Sequence, residues 1–521
     1  MRKEIEYLRE RRERAELGGG IKEIERVHQQ GKLTVRERLE IFYDPGTFRE
    51  FNLWAKPTFT GFPQIDNREL SGDAVVTGIG KVNGRPVCVY AHNATEVAGT
   101  QASVQNAKVS RLMSTAVKWG IPYVALNDSG GVRIFDTVGK ETGRGISYDM
   151  DSWYTPATTL GAVPTITVTL GPSYAGSAYS PMLADVLFMV NKPYCHMSLA
   201  SPEVIRTVTS VKVTRDEIGS ALLHAEVTGS CDYMGESDKD CILAAKELLS
   251  YLPDNCWKKP PILDLGDDPK RTDDELGDMI PLDLSSYDMH NIIKRIVDCG
   301  QYLELKERYA QNVITAFARI GGRSVGIVAN NPAHLDGAID TKSSVKMARF
   351  VRYCDSFNVP LIFLVDTPGY LPAPEQEYDG YARRAAMAIY AYCEATVPKI
   401  LIYLGKGYGD GIFGMGTRLM DFDVVLAWPS ARLQLVSPEE AVEVIYEKRL
   451  RQAENGDSLR NELLEEVKTK FYSVYHWGEL LSLDDIIDPK DTRPYLALML
   501  EMIEAKKPVT RFHKKHGNIP L

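Results

Sequence analysis

The run Leu404-Gly405-Lys406-Gly407-Tyr408-Gly409-Asp410-Gly411-Ile412-Phe413-Gly414-Met415-Gly416 carries little that could act as an acid, a base or a nucleophile. What it offers is backbone. It follows Pro398-Lys399-Ile400-Leu401-Ile402-Tyr403, a β-branched apolar run that reads as a buried strand. Glycine at this density frees the chain to turn sharply and present unshielded N–H groups. About 234 residues earlier, Pro164-Thr165-Ile166-Thr167-Val168-Thr169 runs in the same way into Leu170-Gly171-Pro172-Ser173-Tyr174-Ala175-Gly176-Ser177. Tyr174 aligns with Tyr408, Ala175 with Gly409 and Gly176 with Asp410. Paired backbone N–H groups in such turns suit an enolate or another oxyanion, and one well-placed donor contributes roughly 3–4 kcal/mol. Two matched turns suit a reaction in which two partners each develop a carbonyl-derived anion. The bland alternative is a pair of tight turns.

Competing chemistries fit less well. Gly409-x-Gly411-x-x-Gly414 after a strand has the form of a dinucleotide fingerprint. Asp421 and Asp423 come too early to be its ribose acid, and the twin turn lacks the glycine pattern. Gly171-x-Ser173-x-Ala175 resembles a nucleophile elbow, but no acid-then-histidine order follows it, and a serine in a tight turn is the simpler reading. The nine histidines show no metal-binding spacing; His92, His196 and His334 fall near strand ends, where ordinary hydrogen bonding explains them.

Composition narrows the class. The 521 residues are 44% hydrophobic and 25% charged, with a net charge of −9, which suits a soluble protein of several domains and argues against a nucleic-acid surface. The eight cysteines are scattered without a Cys-x-x-Cys pair, as expected for thiols kept reduced in a cytoplasm. The first 16 residues are charged and lack the apolar stretch of a signal peptide, and no run is long enough to span a membrane.

The elements that must position the two turns recur as well. Residues 1–16 read as a charged helix stopped at Gly18-Gly19-Gly20, 21–30 as a second helix, and Thr34 with Glu37 as a capping box opening a third. Strands at 74–78 and 86–90 flank an Asn83-Gly84 hairpin, and a helix near 101–119 leads to the strand 123–126. A loop is expected over 171–181. Gly322-Arg323 answers Gly84-Arg85, Pro360 answers Pro122, and Ser437-Pro438-Glu439 answers Ser201-Pro202-Glu203, all at offsets of 234 to 238 residues. The expected architecture is a duplicated α/β fold of stacked ββα units: an N-terminal half over 1–255, a linker over 256–285 rich in Pro and Asp, and a C-terminal half over 286–521. The basic tail 511–516 reads as a solvated end.

The sequence resembles the carboxyltransferase (β) subunits of biotin-dependent acyl-CoA carboxylases, of the propionyl-CoA carboxylase β and methylmalonyl-CoA decarboxylase α type. The resemblance covers nearly the whole chain. It rests on Gly31-Lys32-Leu33-Thr34 with Arg36-Glu37-Arg38, Asn127-Asp128-Ser129-Gly130-Gly131 with Arg133-Ile134, Tyr179-Ser180-Pro181, Ser343 to Arg352, Asp366 with Pro368-Gly369, Glu394 to Lys399 and Ala427-Trp428-Pro429. It implies a crotonase-like (ClpP/crotonase) spiral in each half, a hexameric ring, and an active site between the N-half of one subunit and the C-half of another. The first turn would hold the thioester oxygen of an acyl-CoA through the N–H groups of Ala175 and Gly176. The second would hold the ureido oxygen of biotin through those of Asp410 and Gly411, with Gly409 and Phe413 beside it. Biotin would arrive on a carrier protein charged by a biotin carboxylase, since the chain has no Ala-Met-Lys-Met biotinylation site.

The chain departs from that family where the chemistry lies. Tyr174-Ala175-Gly176-Ser177 stands where Ala-Gly-Gly-Ala is usual, and Tyr408-Gly409-Asp410-Gly411 where Tyr-Gly-Gly-Ala is usual. A backbone N–H survives any substitution but proline. Phe413 falls where the family tunes its acyl pocket, which leaves the acyl group open. Two other readings remain: the α-type subunit of a decarboxylase running the reaction in reverse, and a non-catalytic CoA-binding or assembly subunit.

Overall fold

The computed structural model describes residues 1–138, 151–453, 455–507, 514 and 516–520; most of the basic tail at 511–516 therefore lies outside the described residues. The chain divides into two compact units, Met1–Lys258 and Lys259–Leu521.

In the first unit the strands are β1 (Arg49–Phe51), β2 (Val75–Val82), β3 (Arg85–His92), β4 (Tyr123–Ser129), β5 (Thr165–Tyr174), β6 (Val186–Val190), β7 (His196–Ser198) and β8 (Tyr233–Gly235). They form one sheet in the order β1-β2-β3-β4-β5-β6-β8, with β7 paired to β5 off the main path. β1, β2 and β3 are antiparallel, and from β3 onward every pairing is parallel. The Asn83-Gly84 turn is the expected two-residue hairpin: Val82 faces Arg85, and both turn residues have positive φ, 51° and 78°. Such a turn matches the right-handed strand twist.

The second unit repeats this plan. Its strands are β9 (Tyr302–Leu305), β10 (Val313–Ile320), β11 (Arg323–Asn330), β12 (Leu361–Thr367), β13 (Lys399–Tyr408), β14 (Val424–Ala427), β15 (Arg432–Gln434) and β16 (Asp485–Ile486). Their order is β9-β10-β11-β12-β13-β14-β16, with β15 on β13, and the hairpin β10–β11 turns at Gly321-Gly322. The central parallel strands β4 and β12 are buried along their whole length, because helices cover both faces of such a sheet.

Each unit has its own core. Val75, Cys88, Leu112, Met113 and Tyr123 pack together in the first, and Ile293, Ile314, Ile327, Ile362, Ile400 and Leu496 in the second. Residues 259–285 belong to the second unit, where Leu276 and Ile280 enter that core. A Pro- and Asp-rich composition hides two well-spaced apolar anchors there. The capping box forms as read: Thr34 Oγ1 accepts from Glu37 N–H, and Glu37 accepts from Thr34 N–H, at the head of the helix Val35–Phe42.

Neither expected loop is a loop throughout. β5 runs on to Tyr174 and β13 to Tyr408, and short helices, Gly176–Met182 and Gly411–Met415, follow at once. The reason is a change of neighbour. Where β6 and β14 end, the strands continue by pairing with β7 (Pro172 with His196, Tyr174 with Ser198) and β15 (Lys406 with Arg432, Tyr408 with Gln434). Backbone pairing keeps the glycines extended until the final turn.

Candidate active site: two backbone turns on buried carboxylates

At the end of β5, Ala175 takes φ 50° and ψ −120°, a costly conformation for a residue with a Cβ. At the same place after β13 stands Gly409, with φ 57°. Both N–H groups are already used. Ala175 donates to the Ser198 carbonyl at 3.2 Å and Gly409 to the Gln434 carbonyl at 3.0 Å. The Ala175 N–H thus already has an acceptor within the fold. The next two N–H groups in each turn are the open ones. Those of Gly176 and Ser177, and those of Asp410 and Gly411, have no acceptor among the described residues. The two pairs occupy equivalent places in the two units.

Beneath each turn lies a buried carboxylate. A Cβ on Gly171 would sit 1.8 Å from Asp128 Oδ1, and one on Gly405 would sit 2.1 Å from Asp366 Oδ2. Only glycine lets the strand pass over these groups. Gly171→Ala must push β5 off Asp128, with an expected cost of about 1–3 kcal/mol. Activity at the turn should fall further than this loss of stability explains, because Gly171 lies on β5 only five residues before Gly176. A parallel urea titration and activity assay would separate the two.

The two carboxylates are balanced differently. Asp128 receives Lys32 Nζ at 2.6 Å and Arg38 at 2.9 Å, and the same guanidinium reaches Asp238 at 2.8 Å, all four side chains being buried. Asp366 instead accepts from the Lys406 N–H at 3.0 Å and the Tyr287 hydroxyl at 2.9 Å. Among the described residues no cation lies within salt-bridge distance of it. Burial pushes the Asp366 carboxyl up to about 6, against an opposing pull from Lys406.

A carboxyl raised above its unfolded value favours the fold when protonated. Its contribution is full below about pH 4 and is lost as pH rises through about 6, an effect of order 3 kcal/mol. Asp366→Asn should remove that slope. The measurement is the urea midpoint between pH 4 and 7.5; equal slopes in the two proteins would refute it.

Further glycines bring neighbouring loops against the turns. A Cβ on Gly131 would lie 3.4 Å from the Tyr174 carbonyl, and one on Gly369 would lie 3.3 Å from the Tyr408 carbonyl, both residues having positive φ. The side of Gly176 is walled by Trp153, Gln101 and Val132, with Trp153 packed edge-on to Tyr179 at 5.1 Å. In the second turn Asp410 is exposed, Phe413 is half-buried, and the Tyr370 hydroxyl, close to Gly414, has no partner among the described residues. Burial, with Asp410 adding to it, pushes that phenol up to about 12.

The rival chemistries do not assemble. Ser173 is fully buried; its Oγ donates to the Ser177 carbonyl at 2.7 Å and accepts from Asn127 at 2.9 Å, so it fastens the turn from within. His92 is buried against Gln105, burial lowering it to about 4, and His196 faces Asp216 at 3.2 Å. His334 is exposed. No group of three metal-ligating side chains occurs among the described residues. Sequence reasoning missed the roles of Asp128, Asp366, Lys32 and Arg38. Their motifs stood out, but the carboxylate-under-glycine contact joins residues about 40 positions apart.

Residues 26–519 match the model of the carboxyl transferase domain. The chain belongs to the carboxyl transferase domain family. Among its relatives, the methylmalonyl-CoA carboxyltransferase 12S subunit of Propionibacterium freudenreichii subsp. shermanii is 41% identical over 99% of this chain and 97% of its own. The methylmalonyl-CoA decarboxylase subunit alpha of Propionigenium modestum is 39% identical over 100% and 99%. A crystal structure of the transcarboxylase 12S hexamer with methylmalonyl-CoA bound superposes with a TM-score of 0.94 at 40% identity, covering 100% of this chain and 98% of that one. Like that member of the family, this chain is α/β, with two sheets in which parallel pairing dominates. No helix among the described residues is long and apolar enough to cross a membrane.

Proposed function

We propose that this chain is the carboxyltransferase subunit of a cytoplasmic biotin-dependent system, moving CO2 between carboxybiotin on a carrier protein and the α-carbon of an acyl-CoA. Each half is a crotonase-like spiral ending in one backbone hole. The observation that carries this reading is the pair of equivalent, unused N–H groups after β5 and β13, in a chain whose family relatives act on methylmalonyl-CoA. Gly176 and Ser177 hold the thioester oxygen, so that charge developing there on enolate formation meets two fixed donors. Asp410 and Gly411 hold the ureido oxygen of biotin. Held there on its carrier, biotin would supply or take up CO2 and offer a basic ring nitrogen toward the α-proton. That division of labour fits turns beside which no group of three metal-ligating side chains occurs among the described residues. Trp153, Gln101 and Val132 line the acyl side and Phe413 the biotin side, where they limit the space for the reacting groups. The chain works as a hexamer with a biotin carboxylase and a biotin carboxyl carrier.

The test is the purified complex with ATP, labelled bicarbonate and a panel of acyl-CoAs. Acid-stable label in at least one thioester is expected; none, from a folded hexamer, would sink the proposal. Relatives of both the carboxyltransferase and the decarboxylase type match at nearly equal identity, so the same holes would also serve the reverse direction.

A further inference from the structure

The two units finish their sheets differently at the edge away from the turns. In the first, Gly120 precedes β4 by a few residues, and its carbonyl accepts from Asn255 Nδ2 at 2.7 Å. Asn255 and Trp257 close over it, 2.9 Å and 3.9 Å from where a Cβ would stand. In the second, Asn358 takes the place of Gly120 and Ser324 that of Pro86, and the corner stays open as a cavity of about 100 Å³.

The walls of this cavity are apolar and stiff. Ile262, Pro360, Val397, Pro398 and Leu500 line it. Pro360 and Pro398 precede β12 and β13, and their carbonyls accept from the N–H groups of Gly326 and Leu361, each at 2.8 Å. A wall with so few rotamers loses little entropy when something fills it.

The polar groups of the cavity set the charge of an occupant. Lys259, Arg323 and Lys506 line it against one carboxylate, Glu504. Arg323 pairs with Glu504 at 3.2 Å and Lys506 with Asp423 at 2.8 Å. Lys259 donates to the Glu504 carbonyl and has no carboxylate within salt-bridge distance among the described residues. Ser324 also lines the cavity; it is 3% exposed, and its Oγ has no hydrogen-bond partner among the described residues. A buried hydroxyl that bonds nothing is costly, and an occupant that accepts from it removes the cost.

We propose that this cavity binds a short-chain aliphatic carboxylate. The carboxylate accepts from Ser324 Oγ and lies against Lys259 and Arg323, while the chain packs on the proline-lined wall. Size sets the class: the cavity holds the volume of roughly three waters, room for an aliphatic body of about three or four carbons and too little for a peptide. An ammonium group would meet like charge there, and a neutral head would leave the Lys259 charge unanswered.

The site is separate from both turns. Pro398 stands just before β13, a strand of 10 residues whose far end carries the second turn, so roughly 33 Å of strand lies between them. An occupant here does not compete with the groups held at the turns; it bears on the strand that carries one of them. The inference stands whether or not the turns transfer carboxyl groups.

The experiment is isothermal titration of the full-length protein with butyrate, with n-butylammonium and 1-butanol as controls. Six non-hydrogen atoms support an affinity of about millimolar order. Saturable butyrate binding is expected, with both controls weaker by roughly tenfold or more. Ser324→Ala and Lys259→Gln should each weaken butyrate by roughly five- to tenfold. Ile262→Trp, at an exposed position on the cavity wall, should abolish binding by filling the space. Without ligand, Ser324→Ala should leave the urea midpoint unchanged or raise it, because it deletes a hydroxyl that bonds nothing. Butyrate should raise the midpoint of the wild type and not that of Ile262→Trp. A folded protein without saturable butyrate binding, butanol bound as tightly as butyrate, or butyrate binding kept by all three variants would overturn the proposal.

Discussion

Asp410→Pro should lower carboxyl transfer by about 10²–10³-fold while the protein folds and binds acyl-CoA as before. The substitution removes the N–H of a hole donor together with the carboxylate, and losing such a donor from a preorganised pair costs roughly 3–4 kcal/mol of transition-state stabilisation. It can do so cleanly because Asp410 has φ −66° and ψ −9° at the start of a short helix, where proline fits and where no intrahelical bond is forfeited. The residue before it is Gly409, the least restricted neighbour a proline could have. The control is Asp410→Gly, which removes the carboxylate and keeps the donor. That variant should retain activity, and any change in it reports the effect of the exposed carboxylate itself. The two are compared by kcat for transfer from the charged carrier, with acyl-CoA affinity measured separately. Equal activity of the proline and glycine variants would show that this N–H does not hold a developing anion.

Arg38→Met should cost about 3–5 kcal/mol and loosen the first turn. Arg38 is 1% exposed and ties together two buried carboxylates, Asp128 and Asp238, while donating a further bond to the Leu170 carbonyl at 3.2 Å. Without it, among the described residues, Lys32 alone pairs with Asp128, and Asp238 keeps only uncharged donors, the Leu33 N–H and the Tyr194 hydroxyl. Lysine is a poor replacement, because a single ammonium cannot span two carboxylates and a carbonyl as a planar fork does. Since Asp128 lies directly beneath Gly171, the damage should centre on β4 and β5. Amide exchange in those strands should quicken far more than in β12 and β13, whose own carboxylate, Asp366, has no such cation among the described residues. Uniform acceleration across both units, or none, would contradict this account.

The duplication was legible because it depends on local pattern repeated at a near-constant offset. The Asn83-Gly84 hairpin, the capping box at Thr34 and the strand 123–126 each follow from residues within a few positions of one another, and each forms. The turns themselves were legible as glycine-rich ends of matched strands. Less legible was where extension stops. β5 and β13 outlast the expected strand ends because β7 and β15 replace the neighbours they lose, and those partners lie more than twenty residues downstream. The same pairing engages Ala175 N–H on Ser198, and the N–H groups of Gly176 and Ser177 have no acceptor among the described residues.

By itself, then, the sequence determined that this protein holds two glycine-rich turns after matched strands in a twice-built α/β frame. Chain-local periodicity and spacing suffice for that. Tertiary structure alone decided which N–H groups remain free, that each turn rides on a buried carboxylate under an obligatory glycine, and that Asp128 is neutralised where Asp366 is left to titrate. These depend on contacts between residues tens to hundreds of positions apart, where burial turns an ordinary Asp, Arg or Gly into the support of a site.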